Sequence, residues 1–439
     1  MTTSRLAGWM SVAGLAVAAG GCGTIRSAFD DTPPPPSSAP VAEAAAPASG
    51  PSAFNGHFTI ETAALMERPE RGGPTERDSG SLPNSAIASG PAAALEADGM
   101  ESLSQITFVS EGAAFDPCVS RDGSFVVFAG TQHRATSDIY SKSINGRTVT
   151  QLTADPAHDV MPAISPDGKR IAFASNRSGS WDLYVMSAAG GQAVQMTSDA
   201  ADELHPSWSS DGSRLVFSRL GEVSGRWEMW VTDAPGSGSG AGVGTSEFIG
   251  YGLFPSWCPV AKTGSDGRDR ILFQRSRERG DRSFGVWTID YKPGDASSPT
   301  EIAGSPELAA INPTWSGDGE WIAYATIPIE ARADASGMNN AQDKPGWSDL
   351  WITDVAGMGR VNLTSGRFVN LMPSWGGDGR VYFVSNRGGP ENIWSLGTEK
   401  AVMAARGTGM ESSVETAGAG SEAAAETAET AIVEAGSEE

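Results

Sequence analysis

Residues 161–177 read Met161-Pro162-Ala163-Ile164-Ser165-Pro166-Asp167-Gly168-Lys169-Arg170-Ile171-Ala172-Phe173-Ala174-Ser175-Asn176-Arg177, and Asp182-Leu183-Tyr184-Val185-Met186 and Val194-Gln195-Met196-Thr197 follow. This unit recurs six times. Its leading proline falls at Pro117, Pro162, Pro206, Pro255, Pro313 and Pro373, at spacings of 45, 44, 49, 58 and 60 residues. A tryptophan follows two residues later at Trp208, Trp257, Trp315 and Trp375. An Asp-Gly pair comes next, at Asp122-Gly123, Asp167-Gly168, Asp211-Gly212, Asp266-Gly267, Asp318-Gly319 and Asp378-Gly379. An apolar–aromatic dipeptide ends at Tyr140, Tyr184, Trp230, Trp287, Trp351 and Trp394.

Each piece has a mechanical reading. Asp-Gly between two apolar runs signals a hairpin, because a type I′ turn needs positive φ at both central residues. Runs such as Arg170-Ile171-Ala172-Phe173-Ala174 are nearly continuous in apolar residues, as expected of strands covered on both faces. The proline is expected at the start of a strand, where a missing N–H does least harm. Ser-Asn-Arg followed by glycine, at Ser175 to Gly179 and Ser385 to Gly389, supplies the next turn. Four short antiparallel strands at a period of 40–60 residues make a propeller blade.

The ring closure is legible too. Polar–apolar–Thr segments, or near variants, end units at Gln151-Leu152-Thr153, Gln195-Met196-Thr197, Glu301-Ile302-Ala303 and Asn362-Leu363-Thr364, with a degenerate version near Glu247-Phe248-Ile249. None follows Trp394, but Gln105-Ile106-Thr107 precedes the first proline. That strand is expected to complete the last blade and remove an open sheet edge. The predicted fold is all-β: a six-bladed propeller over residues 101–400, latched by an amino-terminal strand.

The P-x-W-S-x-D-G, I-A-F-x-S-x-R, D-L-Y/W and Q-L-T pattern resembles the propeller repeat of TolB and its relatives. The resemblance spans about residues 103–397. It implies a six-bladed ring in the bacterial envelope, with a peptidoglycan-associated lipoprotein or another envelope protein as partner. The same repeat also occurs in prolyl oligopeptidase-type peptidases and polysaccharide lyases, so fold alone does not assign function. TolB carries a structured α/β domain before its propeller, and that place here holds low-complexity sequence.

The flanks read differently from the repeats. The chain has 439 residues, 54 Gly, 27 Pro and a formal net charge of −22. That charge disfavours nucleic-acid binding through counterion release. Residues 1–21 combine Arg5, an apolar stretch from Leu6 to Ala19 and small residues, the form of an export signal. Ala19-Gly20-Gly21-Cys22 resembles a lipobox, which implies a lipidated Cys22 and a membrane anchor; Gly23 in place of Asp favours the outer membrane. Residues 22–100, with Pro33 to Pro36 in a row, read as a disordered tether. Residues 401–439, with eight Glu and one Arg, read as a disordered acidic tail. The expected location is the periplasm, as a monomer on a lipid leash.

No G-x-S-x-G, H-E-x-x-H or P-loop pattern is present, so the expectation is a protein without catalytic residues. His158, Asp159, Asp202, Glu203 and His205 lie in the segments entering the second and third blades. With Asp116, Asn312 and Asn370 at related places, they are candidates for binding at the channel mouth. Such a mouth offers oxygen and imidazole ligands to a divalent cation or contacts for a carboxylate-bearing peptide, or else simply carries water. An alternative is an envelope glycan lyase or hydrolase, or a small-ligand sensor, using the same mouth. Arg268, Arg270, Arg275, Arg277, Arg279 and Arg282 form a candidate basic patch, unless they pair locally with acids. Cys118 and Cys258 fall on opposite blades, beyond the ~7 Å reach of a disulfide, and read as free, buried thiols.

Overall fold

The computed structural model describes residues 93–94, 102–235, 246–276, 283–329 and 346–407. Cys22, the expected signal and nearly all of the expected tether lie outside the described residues, as do Arg277, Arg279, Arg282 and residues 408–439.

The repeats fold into six antiparallel sheets. The first strand of each is Ala114–Val119, Asp159–Ile164, Glu203–Trp208, Leu253–Trp257, Leu308–Trp315 and Asn370–Trp375. Each of these contacts the next, and the last contacts the first, so the sheets close a ring. We number the blades 1 to 6 in that order. The residue two before each proline is apolar: Phe115, Val160, Leu204, Leu253, Ile311 and Leu371. All six join one continuous core, where each buried side chain of this size contributes ~1.5–3 kcal/mol.

The latch forms as expected. Ser104–Gln105 pairs with the third strand of blade 6, Asn392–Gly397, in the register Ser104 to Ser395 and Gln105 to Trp394. Ile106 and Val109 pack with Val126, Phe128, Tyr382 and Ile393, between blades 1 and 6.

The closing threonines explain the Q-L-T and D-L-Y motifs together. Thr153, Thr197 and Thr364 accept the N–H of Ile139, Leu183 and Leu350 at 2.9, 2.9 and 3.0 Å. Thr107 does the same for Ile393 at 2.8 Å. In that blade Asn392 replaces the usual aspartate. Its Oδ1 accepts from the Thr107 hydroxyl and the Val109 N–H, and its Nδ2 donates to Val109 O.

Three expectations change. The prolines sit inside the first strands rather than at their starts. They are tolerated because each of these strands shifts register at that point, for example between Phe115 and Cys118 or Leu204 and Ser207. The Asp-Gly turns are not type I′ in five blades: the glycines are left-handed (φ 69–73°), but Asp122, Asp167, Asp211, Asp318 and Asp378 are not. In four of them a serine makes the turn. Ser120, Ser165, Ser209 and Ser316 donate to the Asp at 2.5–2.6 Å, and each accepts the N–H five residues on. Blade 4 has Cys258 in place of that serine, and there Asp266 (φ 53°) and Gly267 (φ 69°) do form the expected double left-handed turn.

The third change is at the end of the ring. Residues 399–407 form a helix, with Ala401 and Ala405 in the core, so the folded body extends past the expected boundary at 400. Near the other end, Ala93–Ala94 pairs in parallel with Arg360–Asn362 and adds a fifth strand to blade 5.

Tryptophans seal the blade seams. Trp208 Nε1 donates to Ala163 O and Trp315 Nε1 to Ser256 O, both across a seam at 2.9 Å. Cys118 and Cys258 are free, as expected, but Cys118 is only partly buried. Its Sγ accepts the Ile164 N–H of the next blade at 3.4 Å.

Candidate functional site

The eight residues expected at one mouth divide into two sets. Asp116, His205 and Asn312 occupy the position immediately before the proline, on the bulge of the first strand in blades 1, 3 and 5. Met161, Phe254 and Met372 occupy it in blades 2, 4 and 6. All six are left-handed, with φ between 49° and 56°. Non-glycine residues rarely adopt this conformation, and a following proline disfavours the alternative α region. The bulge sets it, turning these side chains out of the normal strand alternation.

Polar and apolar side chains thus alternate around this ring. Asp116 Oδ2 accepts the Met161 N–H at 3.0 Å, and desolvation lifts its carboxyl to about 7. Asn312 donates its N–H to Gln274 Oε1 at 2.7 Å. His205 is 5% exposed, packs at a 40° tilt against Phe254 with centroids 3.7 Å apart, and has no protein hydrogen bond at either ring nitrogen. Burial pushes its imidazole down to about 3, so it is neutral.

The second set, His158, Asp159, Asp202, Glu203 and Asn370, stands at the entry to the first strands, within the seams rather than around the ring. Asp159 is fully buried and takes both oxygens' bonds from Arg177 Nη2, at 2.8 and 2.9 Å. Arg177 also pairs with Asp155 at 2.5 Å and lies over Tyr184. Asn370 Oδ1 accepts from Arg387 at 2.7 Å. His158 Nδ1 accepts the Ser137 N–H at 3.2 Å, and burial lowers its pKa. Asp202 Oδ1 accepts the Trp181 N–H at 3.2 Å. Among the described residues, no three His, Cys, Asp or Glu side chains assemble into a metal site.

The sequence reading missed Asp182 and Asp199, which stand beside Glu203 and affect its ionisation. The signal was available: both Thr153-Ala154-Asp155 and Thr197-Ser198-Asp199 carry an acid two residues after the closing threonine.

The described arginines of the basic patch are held by local contacts. Arg268 bonds Asp295 at 2.8 Å, Arg270 bonds Asp290 at 3.2 Å, and Arg275 lies over Trp287. Local pairing with acids, one of the two readings of the sequence, describes Arg268 and Arg270, while Arg275 sits against a ring.

Residues 97–260 match the family described as the TolB beta propeller domain. That match spans blades 1 to 3 and the first strand of blade 4. Among solved structures, a TolB candidate from Agrobacterium tumefaciens is 17% identical, with a TM-score of 0.47 over 67% of this chain and 96% of its own. TolB from Acinetobacter baumannii is 17% identical, with a TM-score of 0.40 over 67% of this chain and 65% of its own. The oligogalacturonate lyase from Vibrio parahaemolyticus is 14% identical, with a TM-score of 0.44 over 69% of this chain and 96% of its own. In this ring, the repeat motifs are accounted for by seam and hairpin geometry.

Proposed function

We propose that this protein is a non-catalytic, protein-binding propeller of the bacterial envelope, exported and held to a membrane, the outer membrane being favoured, through lipid on Cys22. The observation that carries the binding half is what the polar side chains at the blade entries do. Asp159, His158 and Asn370 are tied to Arg177, Ser137 and Arg387. They hold the loops in one shape, and a rigid loop face suits recognition, since little ordering entropy is lost on binding. The anchoring half rests on the sequence of residues 1–22.

In-cell cross-linking, detergent extraction and mass spectrometry test the reading. One envelope protein recovered at near-stoichiometric yield, with acyl chains on Cys22, is the expected result. Recovery of the protein alone and unacylated overturns it. Turnover of an envelope glycan that is lost in the His158→Ala, Asp159→Ala and His205→Ala triple variant would replace it with the enzyme reading.

A further inference from the structure

Three blades carry an acid or amide at the entry of the first strand: Asp159 in blade 2, Glu203 in blade 3 and Asn370 in blade 6. Strand register makes them equivalent, because they pair with Ser175, Arg219 and Ser385 respectively. In blades 2 and 6 an arginine stands two residues further on. Arg177 returns to Asp159 and lies over Phe173 and Tyr184. Arg387 returns to Asn370 and lies over Phe383 and Trp394. Blade 3 retains the aromatic pair, Phe217 opposite Trp230. At the position of the arginine, however, it has Gly221.

The consequences collect at the seam between blades 2 and 3. Glu203 and Asp182 are each 1% exposed, and no protein group hydrogen-bonds Glu203 Oε2 or Asp182 Oδ1. Asp199 and Asp202 add two more carboxylates near Asp182. Among the described residues the cation there is Arg219, the cross-strand neighbour of Glu203; its charge acts on Glu203, but its ion pair, at 2.8 Å, is with Asp199, and it lies over Trp230. The corresponding seam between blades 1 and 2 balances Asp138, Asp155 and Asp159 with Arg134 and Arg177. One oxygen is left over there as well, Asp138 Oδ1, but its carboxylate is held through Oδ2 by Gln151 and the Arg134 cation, whereas Asp182 Oδ2 accepts only from the neutral hydroxyls of Ser178 and Ser180. Buried carboxylates without a matching cation are costly unless something else supplies the charge. The two segments flanking Glu203 are open to solvent: residues 198–200 are exposed, and so are Glu222, Val223, Gly225 and Arg226.

We propose that this seam is a docking pocket for an arginine side chain of a partner protein, whose guanidinium enters beside Glu203 where blades 2 and 6 supply their own. A guanidinium fits better than a metal ion for two reasons. No three acids among the described residues converge on one point, and the planar fork of donors can serve Glu203 and Asp182 while facing an aromatic ring. This inference rests on the protein-binding reading above and names the chemistry of one contact.

The probe is the peptide acetyl-Gly-Arg-Gly-amide, titrated against the full propeller by ligand-observed NMR, with the lysine analogue alongside. Millimolar binding that prefers arginine and persists at raised salt is expected, because attraction by the −22 net charge alone would be screened. Glu203→Gln should weaken binding at least about tenfold while raising the melting temperature, since it removes an unmatched buried charge. Asp318→Asn removes a charge elsewhere and should leave binding unchanged. Gly221→Arg should place the arginine in cis and abolish peptide binding; its Cβ displaces the Glu228 and Ser224 side chains, so binding alone is its readout. Equal binding by wild type and Glu203→Gln, a lower melting temperature in Glu203→Gln, or no arginine preference overturns the proposal. If the peptide fails to bind but cross-linking still captures an envelope protein, the pocket fails and the scaffold reading stands. If the peptide binds but cross-linking captures no partner, the pocket stands and the scaffold reading fails.

Discussion

Replacing Thr107 with valine removes one hydroxyl and almost no volume, and it tests whether the amino-terminal latch governs the ring. In the structure that hydroxyl accepts the Ile393 N–H at 2.8 Å and donates to Asn392 Oδ1 at 2.9 Å, between segments 285 residues apart. Thr107 is buried, so the Ile393 N–H is left without a partner. One stranded buried donor plus one lost bond costs about 2–4 kcal/mol. If the latch opens as a local unit, amide exchange in residues 104–109 and 392–397 should quicken by roughly 30- to 1,000-fold. Amides in blades 2 to 4 should hold their rates. Thr153→Val is the control, because it breaks the same clasp to Ile139 within blade 1. It should lower stability by a comparable amount and quicken exchange in blade 1 alone. Native-state exchange read by mass spectrometry separates the two patterns. A change below about threefold at 392–397, or one spread evenly around the ring, refutes the reasoning.

Three other outcomes follow from the geometry. Desolvation lifts Asp116 from 3.8 to about 7, so the folded state holds that proton more tightly than the unfolded chain. Its stabilising contribution is full below about pH 4 and is lost as pH rises to about 7. Asp116→Asn keeps the acceptor for the Met161 N–H. It should therefore raise urea stability at pH 8 relative to wild type and do little at pH 4, with Glu203, also raised to about 7, supplying any residual slope. Arg177→Ala strands fully buried Asp159 and should cost about 3–5 kcal/mol; adding Asp159→Asn should recover part of that loss in a double-mutant cycle by denaturant melts. Gly377→Ala places a Cβ against the Arg121 carbonyl at the junction of blades 6 and 1. It should cost more than about 3 kcal/mol, against roughly 1–2 for Gly168→Ala, which has open space and only its positive φ to oppose it.

Blade number, strand order and latch were legible because each repeat states its own turns, and six imperfect copies correct one another. Local rules failed where the ring imposes geometry. Proline at a strand start is the safe place in an isolated sheet, yet Pro117 and its equivalents sit mid-strand because the bulge removes the ladder bond that the proline cannot make. A free-standing Asp-Gly hairpin favours type I′, but Ser120 and its equivalents bridge the turn from within and leave only the glycine left-handed. Spacing from the proline put Asp116 and Asp159 in one set. The bulge separates them, carrying the first to the ring position and leaving the second in a seam with Arg177. The helix at 399–407 was hidden because its alanines read as tail composition, whereas Ala401 and Ala405 are small enough to pack against the blades. The absence of an arginine from blade 3 was visible in the sequence as Gly221, but its meaning needed the register that aligns it with Arg177 and Arg387.

The closing strand also decides where the ring can be cut. Arg380 donates to the Ser102 carbonyl, and Thr398 donates its N–H to Gly379 at 3.2 Å. The strand that opens blade 6's closure and the strand that ends it therefore meet beside the same two residues, Gly379 and Arg380. A short peptide joining residue 102 to residue 398 would keep the four-stranded pairing of every blade while omitting the added strand at Ala93–Ala94 and the helix at 399–407, and new termini could be opened at an exposed loop between other blades. A circularly permuted version should fold to the same ring, so the order in which the blades are synthesised is separable from the order in which they stand.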